Sequence, residues 1–189
     1  MVEYMYIIFS LRTGKKMDTY KEQLVKKAMT TNDHLRKVML VIIALSLSGL
    51  LIVLAMMMAP QFLLMGLFAS GFLIYGAFYF GKDIETEYEY LFTNGDMDID
   101  KILGQRRRKR LVSGNIHTVT EFGRYTDDVV FDDEKTVVDA SSGYEEEHWY
   151  LAFTSKHYGE CYLIFTPNED MLELLIDNLP KAVKAKVNR

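Results

Sequence analysis

Between Val38 and Phe80 the chain carries no Asp, Glu, Lys, Arg or His. The stretch divides into two apolar runs. Val38 to Ala59, VMLVIIALSLSGLLIVLAMMMA, has 22 residues and would span about 33 Å as a helix, enough for a hydrocarbon core. Phe62 to Phe80, FLLMGLFASGFLIYGAFYF, has 19 and would span about 28 Å. Pro60-Gln61 separates them and is too short to hold a domain. Two helices joined in this way run antiparallel and return the chain to the side it left. A buried hairpin inside a globular domain would need an apolar shell that a 189-residue chain cannot supply.

The flanks set an orientation. Arg36, Lys37 and Lys82 border the outer ends of the pair, and the Pro60-Gln61 turn has no cation. The excess of Lys and Arg on the cytoplasmic side of membrane helices places both termini in the cytoplasm of a multi-pass cell-membrane protein. Tyr75 and Tyr79 fall near the exit of the second run, where amphipathic rings favour the interface. With no ionisable group at depth, the hairpin reads as an anchor rather than a channel or proton relay. Ala44 and Ser48, Gly66 and Ser70, and Ala77 and Gly81 have the small-xxx-small spacing of close helix contact. They serve packing within the hairpin or the seam of a homo-oligomer.

Charge divides the chain into three zones: 1–37, 38–81 and 82–189. Residues 1–37 carry eight cations against four carboxylates, and residues 83–189 carry thirteen against 22. In the first zone Thr19-Tyr20-Lys21-Glu22 fits a capping box. It predicts an amphipathic helix with Tyr20, Leu24, Val25 and Ala28 toward one face, a basic leader that either lies on the inner leaflet or is simply solvated. Residues 1–16 precede Met17 and the cap, which suggests Met17 as the natural start.

The third zone changes from continuous apolar sequence to alternation. In Ile84–Thr93, Glu85, Glu87 and Glu89 share one face and Ile84, Tyr88, Tyr90 and Phe92 the other, the pattern of a half-buried strand. Asn94-Gly95 is a strong hairpin turn. Asp96–Leu103 returns with Met97, Ile99 and Leu103 inward and Asp96, Asp98 and Asp100 outward, so an exposed outer face crowded with carboxylates is expected. Gly104-Gln105 makes a second turn and Arg106–Val112 the next strand. Val129–Phe131 and Thr136–Ala140 are further strand candidates. His148–Phe153 and Glu160–Phe165 form a hairpin. Thr166 as N-cap, Pro167 at the first position and Glu169 at the third start a helix that Pro180 stops. The expected fold class is α+β: a two-helix transmembrane hairpin, then a small bent antiparallel sheet closed by a C-terminal helix.

No catalytic or metal-binding constellation is present. The sequence has no glycine-rich phosphate loop, CxxC or HExxH, and His34, His117, His148 and His157 lack ligand spacing. The single cysteine, Cys161, alternates with apolar neighbours and reads as a packed side chain. No cofactor is implied and no enzyme is expected. The one unusual run is Arg106-Arg107-Arg108-Lys109-Arg110. Its cations answer the neighbouring carboxylates at Glu87, Glu89, Asp98 and Asp100, or contact the inner leaflet or a partner. A nucleic-acid module would want a broadly basic surface, which this carboxylate-rich zone does not offer.

YEYLFTNGDMDIDKILGQRRRKRL, VVDASS and FTPNEDMLELLIDNLP, following a double-span anchor, resemble an uncharacterised bacterial membrane-protein family, a domain of unknown function. The polar part is similar to bacterial pleckstrin-homology-like (PH-like) domains such as the YcxB-like proteins. The resemblance covers about Met17 to Val183 and implies no catalytic residues. The expectation is a membrane-anchored interaction module that binds anionic lipid head groups or protein. The rival expectation is an accessory subunit of a larger membrane complex, recognised through its hairpin.

Overall fold

The computed structural model describes residues 19–126 and 128–187; the suggested start at Met17 lies outside them. Two long helices form the apolar hairpin. Helix α1 covers Thr31–Met58 and α2 covers Leu63–Lys82, with a short 3-10 turn at Pro60–Phe62 between them. Both are long and apolar enough to cross a membrane. At about 1.5 Å per residue they measure about 42 and 30 Å, so the polar start of α1 projects beyond the end of α2. That start is fixed by a capping box at Thr30 and Asp33: Asp33 N–H donates to Thr30 Oγ1 at 3.3 Å, and Thr30 N–H donates to Asp33 Oδ2 at 3.1 Å.

Small residues let the helices meet. Ala44, Ser48 and Ala55 of α1 and Gly66, Ser70 and Ala77 of α2 are the buried positions of the hairpin. Ser48 Oγ donates to the Ser70 carbonyl at 3.3 Å, and Ser70 Oγ donates to the Ser48 carbonyl at 3.1 Å. At Gly66 a Cβ would stand 2.8 Å from Ala55 Cβ. The small-xxx-small pairs Ala44/Ser48 and Gly66/Ser70 thus pack within the hairpin.

The polar domain is a sheet of eight strands: β1 Tyr20–Lys26, β2 Thr86–Thr93, β3 Asp96–Leu103, β4 Arg107–Asn115, β5 Glu121–Arg124, β6 Thr136–Asp139, β7 Trp149–Ser155 and β8 Gly159–Phe165. The order is β1-β2-β3-β4-β7-β8-β6, with β5 alongside β7. All pairings are antiparallel except β6 with β8. Asn94-Gly95 and Gly104-Gln105 both turn with positive φ at each residue (52° and 93°, 57° and 58°), as tight two-residue hairpins require. Helices α3 Glu169–Asn178 and α4 Lys181–Val187 close the domain. Tyr88, Tyr90, Phe92, Ile99, Val112, Leu151, Leu163, Phe165, Met171 and Leu175 build the core. At its centre Tyr90 Oη donates to the Ala140 carbonyl at 2.6 Å and accepts from Thr166 N–H at 3.1 Å. Its burial raises the phenol far above its usual range.

Four expectations need correction. The segment from Thr19 is a strand, not an amphipathic helix. β1 pairs with β2 from Tyr20↔Thr93 to Lys26↔Glu87, and that ladder outweighs a local cap. The N-terminal segment therefore belongs with residues 83–187, and the helical hairpin is inserted between two adjacent strands. Val129–Phe131 is not a strand; Val130 is exposed and only Phe131 turns inward, between the Tyr125 and Tyr162 rings. The cap of α3 is Asn168, whose Oδ1 accepts from Met171 N–H at 2.9 Å. Thr166 instead offers its hydroxyl to Ser142 N–H, 3.0 Å away. Finally, the outer face of β2 and β3 is not open: Glu87, Glu89 and Asp100 are buried.

Candidate functional site: the hairpin-proximal end of the sheet

The end of β1, the start of β2, the β3–β4 turn and the polar ends of both helices converge. The basic run enters there on β4. Arg106 donates to the Tyr79 carbonyl and to Asp83 Oδ1, both at 2.6 Å, and its guanidinium lies 3.7 Å above the Tyr79 ring. Arg107 holds the other Asp83 oxygen. Arg108 donates to Glu89 Oε1 at 2.7 Å, and Arg110 bridges Asp98 and Asp100. Four of the five cations therefore answer carboxylates. The Arg108 and Arg110 pairs are among those expected from the strand order. Asp83 is an unforeseen partner, because it lies outside the alternating pattern.

Backbone geometry sets this arrangement. Gly104 takes φ +57°, and a Cβ there would stand 2.8 Å from Asp83 Oδ1 and from the Lys82 carbonyl. Only glycine lets the turn approach the end of α2 this closely. Burial opposes the charge on Asp83, yet hydrogen bonds from Arg107 and Arg106 outweigh it and hold the carboxyl below its usual range. Lys37 reaches Glu85 at 2.8 Å and lowers that carboxyl in the same way.

The opposite, core-side face of the same strands has a different balance. Lys101 stands directly across from Lys109 in the β3–β4 register. Lys27 continues the β1–β2 ladder with its N–H donating to the Thr86 carbonyl at 3.0 Å. Lys27, Lys101, Arg36, Asp33, Asp83 and Thr86 line a cavity of about 310 Å³. Its two acids are committed, Asp83 to arginines and Asp33 to the Thr30 hydroxyl and amide, which lower its carboxyl. Among the described residues Lys27, Arg36, Lys82, Lys101 and Lys109 make no ion pair. Of the cations singled out from the sequence, Arg36, Lys82 and Lys109 thus form no direct ion pair, although Arg36 acts on Asp33 and Lys82 on Glu85 at longer range. Lys27 and Lys101 join them. Lys101 was hidden because it follows an aspartate in an alternating strand and reads as ordinary surface.

On the outer face, Glu89 and Asp100 are opposite each other in the β2–β3 register. Burial, together with Glu22 and Asp100, raises the Glu89 carboxyl against the pull of Arg108.

The chain matches the bacterial PH-like domain family DUF6106, a domain of unknown function, over residues 17–185, and it belongs to that family. The mostly antiparallel sheet, the C-terminal helices and the helical hairpin agree with the resemblance drawn from the sequence. No curated protein and no solved structure matches the chain.

Proposed function

We propose that the protein is a membrane-anchored interaction module that acts by binding rather than catalysis. In this reading the hairpin crosses the cell membrane with both termini cytoplasmic. It holds the PH-like domain against the inner leaflet, where the domain binds anionic lipid head groups. The observation that carries the reading is the cavity at the hairpin-proximal end. Three cations line it, and directly opposed like charges at Lys101 and Lys109 are unfavourable until an anion sits between them. The bilayer surface next to the hairpin supplies such anions. This shifts the expected contact from the Arg106–Arg110 run, mostly neutralised within the chain, to Lys27, Arg36 and Lys101 with Lys109 beside them.

The test uses full-length protein in neutral detergent. Added anionic lipid should raise the melting temperature more than zwitterionic lipid, and salt should reduce the gain. Changing Lys27, Arg36 and Lys101 together to Gln should abolish it. A gain that survives the triple change, or no preference for anionic lipid, would remove the head-group reading. Orientation is checked separately with Gln61→Cys in intact cells. A membrane-impermeant maleimide should label it, whereas Cys161, 1% exposed and with its thiol pushed up by burial, stays silent.

A second reading, an accessory subunit of a larger membrane complex, is favoured by one feature. Along α2, Leu64, Leu67, Phe68, Phe72 and Tyr75 surround Gly71 in an open apolar groove of about 630 Å³. Co-purification of a stoichiometric integral partner in mild detergent would support that reading, and loss of the partner on Gly71→Leu would place it in the groove.

A further inference from the structure

The outer face of β1–β4 contains a second cavity, of about 390 Å³, lined by Glu22, Leu24, Glu87, Glu89, Ile102 and Arg108, together with Gln105 and Arg106. Glu89 is 5% exposed. Its Oε1 accepts from Arg108, but among the described residues no N–H or hydroxyl donor reaches its buried Oε2. Leaving such an oxygen unpaired carries a large desolvation cost, so a donor that reaches it is strongly favoured. The other acids add to the demand. Among the described residues Glu22 accepts from the Tyr20 hydroxyl, at 2.6 Å, and lies close enough to Glu89 to raise that carboxyl's demand for a proton or cation, while Glu87 accepts from the Gln105 side-chain amide, at 3.2 Å. Arg106 is bound to Asp83 and Tyr79. Three carboxylates therefore face one guanidinium that Glu89 already holds and one committed elsewhere.

The missing partner is a cation, and its type can be narrowed. Among the described residues no three of His, Cys, Asp and Glu stand close enough to hold a metal ion. A primary ammonium needs no such cage. It brings one charge and three N–H donors. Leu24 and Ile102 offer apolar contact to a short carbon stem.

We propose that this cavity binds a primary ammonium group, with an N–H donating to Glu89 Oε2 and the attached carbons against Leu24 and Ile102. The source is an ethanolamine lipid head group or a free primary amine. The head group is the nearer one: Arg106, in the cavity wall, touches the last turn of α2, and Arg108, more than half exposed along its side chain, is placed for a phosphodiester. The proposal does not rest on the anionic head-group reading, which uses the opposite face.

The experiment follows the melting of full-length protein in neutral detergent, read from the fluorescence of its single tryptophan, Trp149, stacked on Phe122 with ring centroids 5.3 Å apart. Ethanolamine and O-phosphoethanolamine should raise the melting temperature with concentration. Phosphocholine, whose trimethylated nitrogen has no N–H, should not. Glu89→Gln keeps the shape and removes the charge, so it should fold and bind the amine about tenfold more weakly or worse. An equal response to ethanolamine and choline compounds, an undiminished response in Glu89→Gln, or no response to either amine would overturn the proposal. Nanodiscs with phosphatidylethanolamine in place of phosphatidylcholine then identify the source. Extra stability assigns the site to the head group; none, with soluble amine still effective, assigns it to a free amine. The triple change of Lys27, Arg36 and Lys101 should leave the amine response intact, which keeps failure of the two readings apart.

Discussion

At Glu89 the ordinary rule for a surface strand is reversed. The residue lies on what alternation marks as the solvent side, yet it is buried beneath Arg108. The groups that face it are Glu22 from β1, Asp100 from β3 and Arg108 from β4. Its carboxyl is raised above the ordinary 4.5 by burial first and by the two acids next. The folded state therefore holds this proton more tightly than the unfolded chain. That contribution to stability is fully present below about 4.5 and is lost as pH rises through the higher folded value. Glu89→Gln should remove this loss, so that in amine-free buffer the variant's melting temperature exceeds the parent's by more at pH 7 than at pH 4. A gap that is constant or shrinks with pH would contradict the assignment. Asp83 and Glu85 have the opposite sign: their lowered carboxyls stabilise above the ordinary range and lose that effect as acid protonates them. Gly114 is a simpler case. It passes so close to Phe153 that a Cβ would fall inside the ring. Gly114→Ala should cost roughly 1–3 kcal/mol in denaturant unfolding, with a wild-type-like cost sinking the packing claim.

At the scale of elements, legibility followed the contrast between faces. β2 and β3 were readable because Tyr88, Tyr90 and Phe92 alternate with glutamates and the Asn94-Gly95 turn fixes the register. The C-terminal helix was readable from its start signals at Thr166–Glu169 and its stop at Pro180, although its cap fell two residues later than expected. β1 was not readable, because its alternation is inverted: Lys21 and Gln23 share the core-side face with buried Val25, while Tyr20 and Leu24 are exposed. Its place comes from distant partners. Gln23 donates to the Thr166 carbonyl at 3.0 Å and accepts from Asn168 N–H at 2.9 Å, and Lys21 reaches Asp170 at 2.6 Å. No local pattern encodes those contacts. Gln23→Ala should therefore destabilise by about 1–2 kcal/mol and speed amide exchange in β1 more than in β3; uniform acceleration would argue against a local tie. In the hairpin, Gly66→Leu should drive α1 and α2 apart against Ala55 and lower the melting temperature in detergent, whereas Gly49→Leu, with open space around it, should not. The candidate site was half legible. The arginine run signals charge, but only the paired strands show that four of its members are neutralised and that Lys101 faces Lys109.

For the molecule as a whole, the helical hairpin occupies the position of a turn. Lys27 and Thr86 are joined by a backbone hydrogen bond, so the two strands could be connected by two residues. Replacing residues 28–85 with Asn-Gly should yield a domain that stays in solution without detergent, with a β-type circular dichroism spectrum and a cooperative melt. Failure to fold would mean that the helices are part of the domain's stability, through contacts such as Asp83 with the arginines. The same arrangement has a consequence for biosynthesis. The ribosome releases β1 first, then both apolar segments, and only afterwards the strand β1 must join. In the membrane-anchored reading proposed above, β1 waits without β2 while the hairpin is threaded out and back. In that reading a chain in which only one of the two helices crossed would leave the seven-residue β1 across the bilayer from β2, so completing the sheet would double as a check that both had crossed.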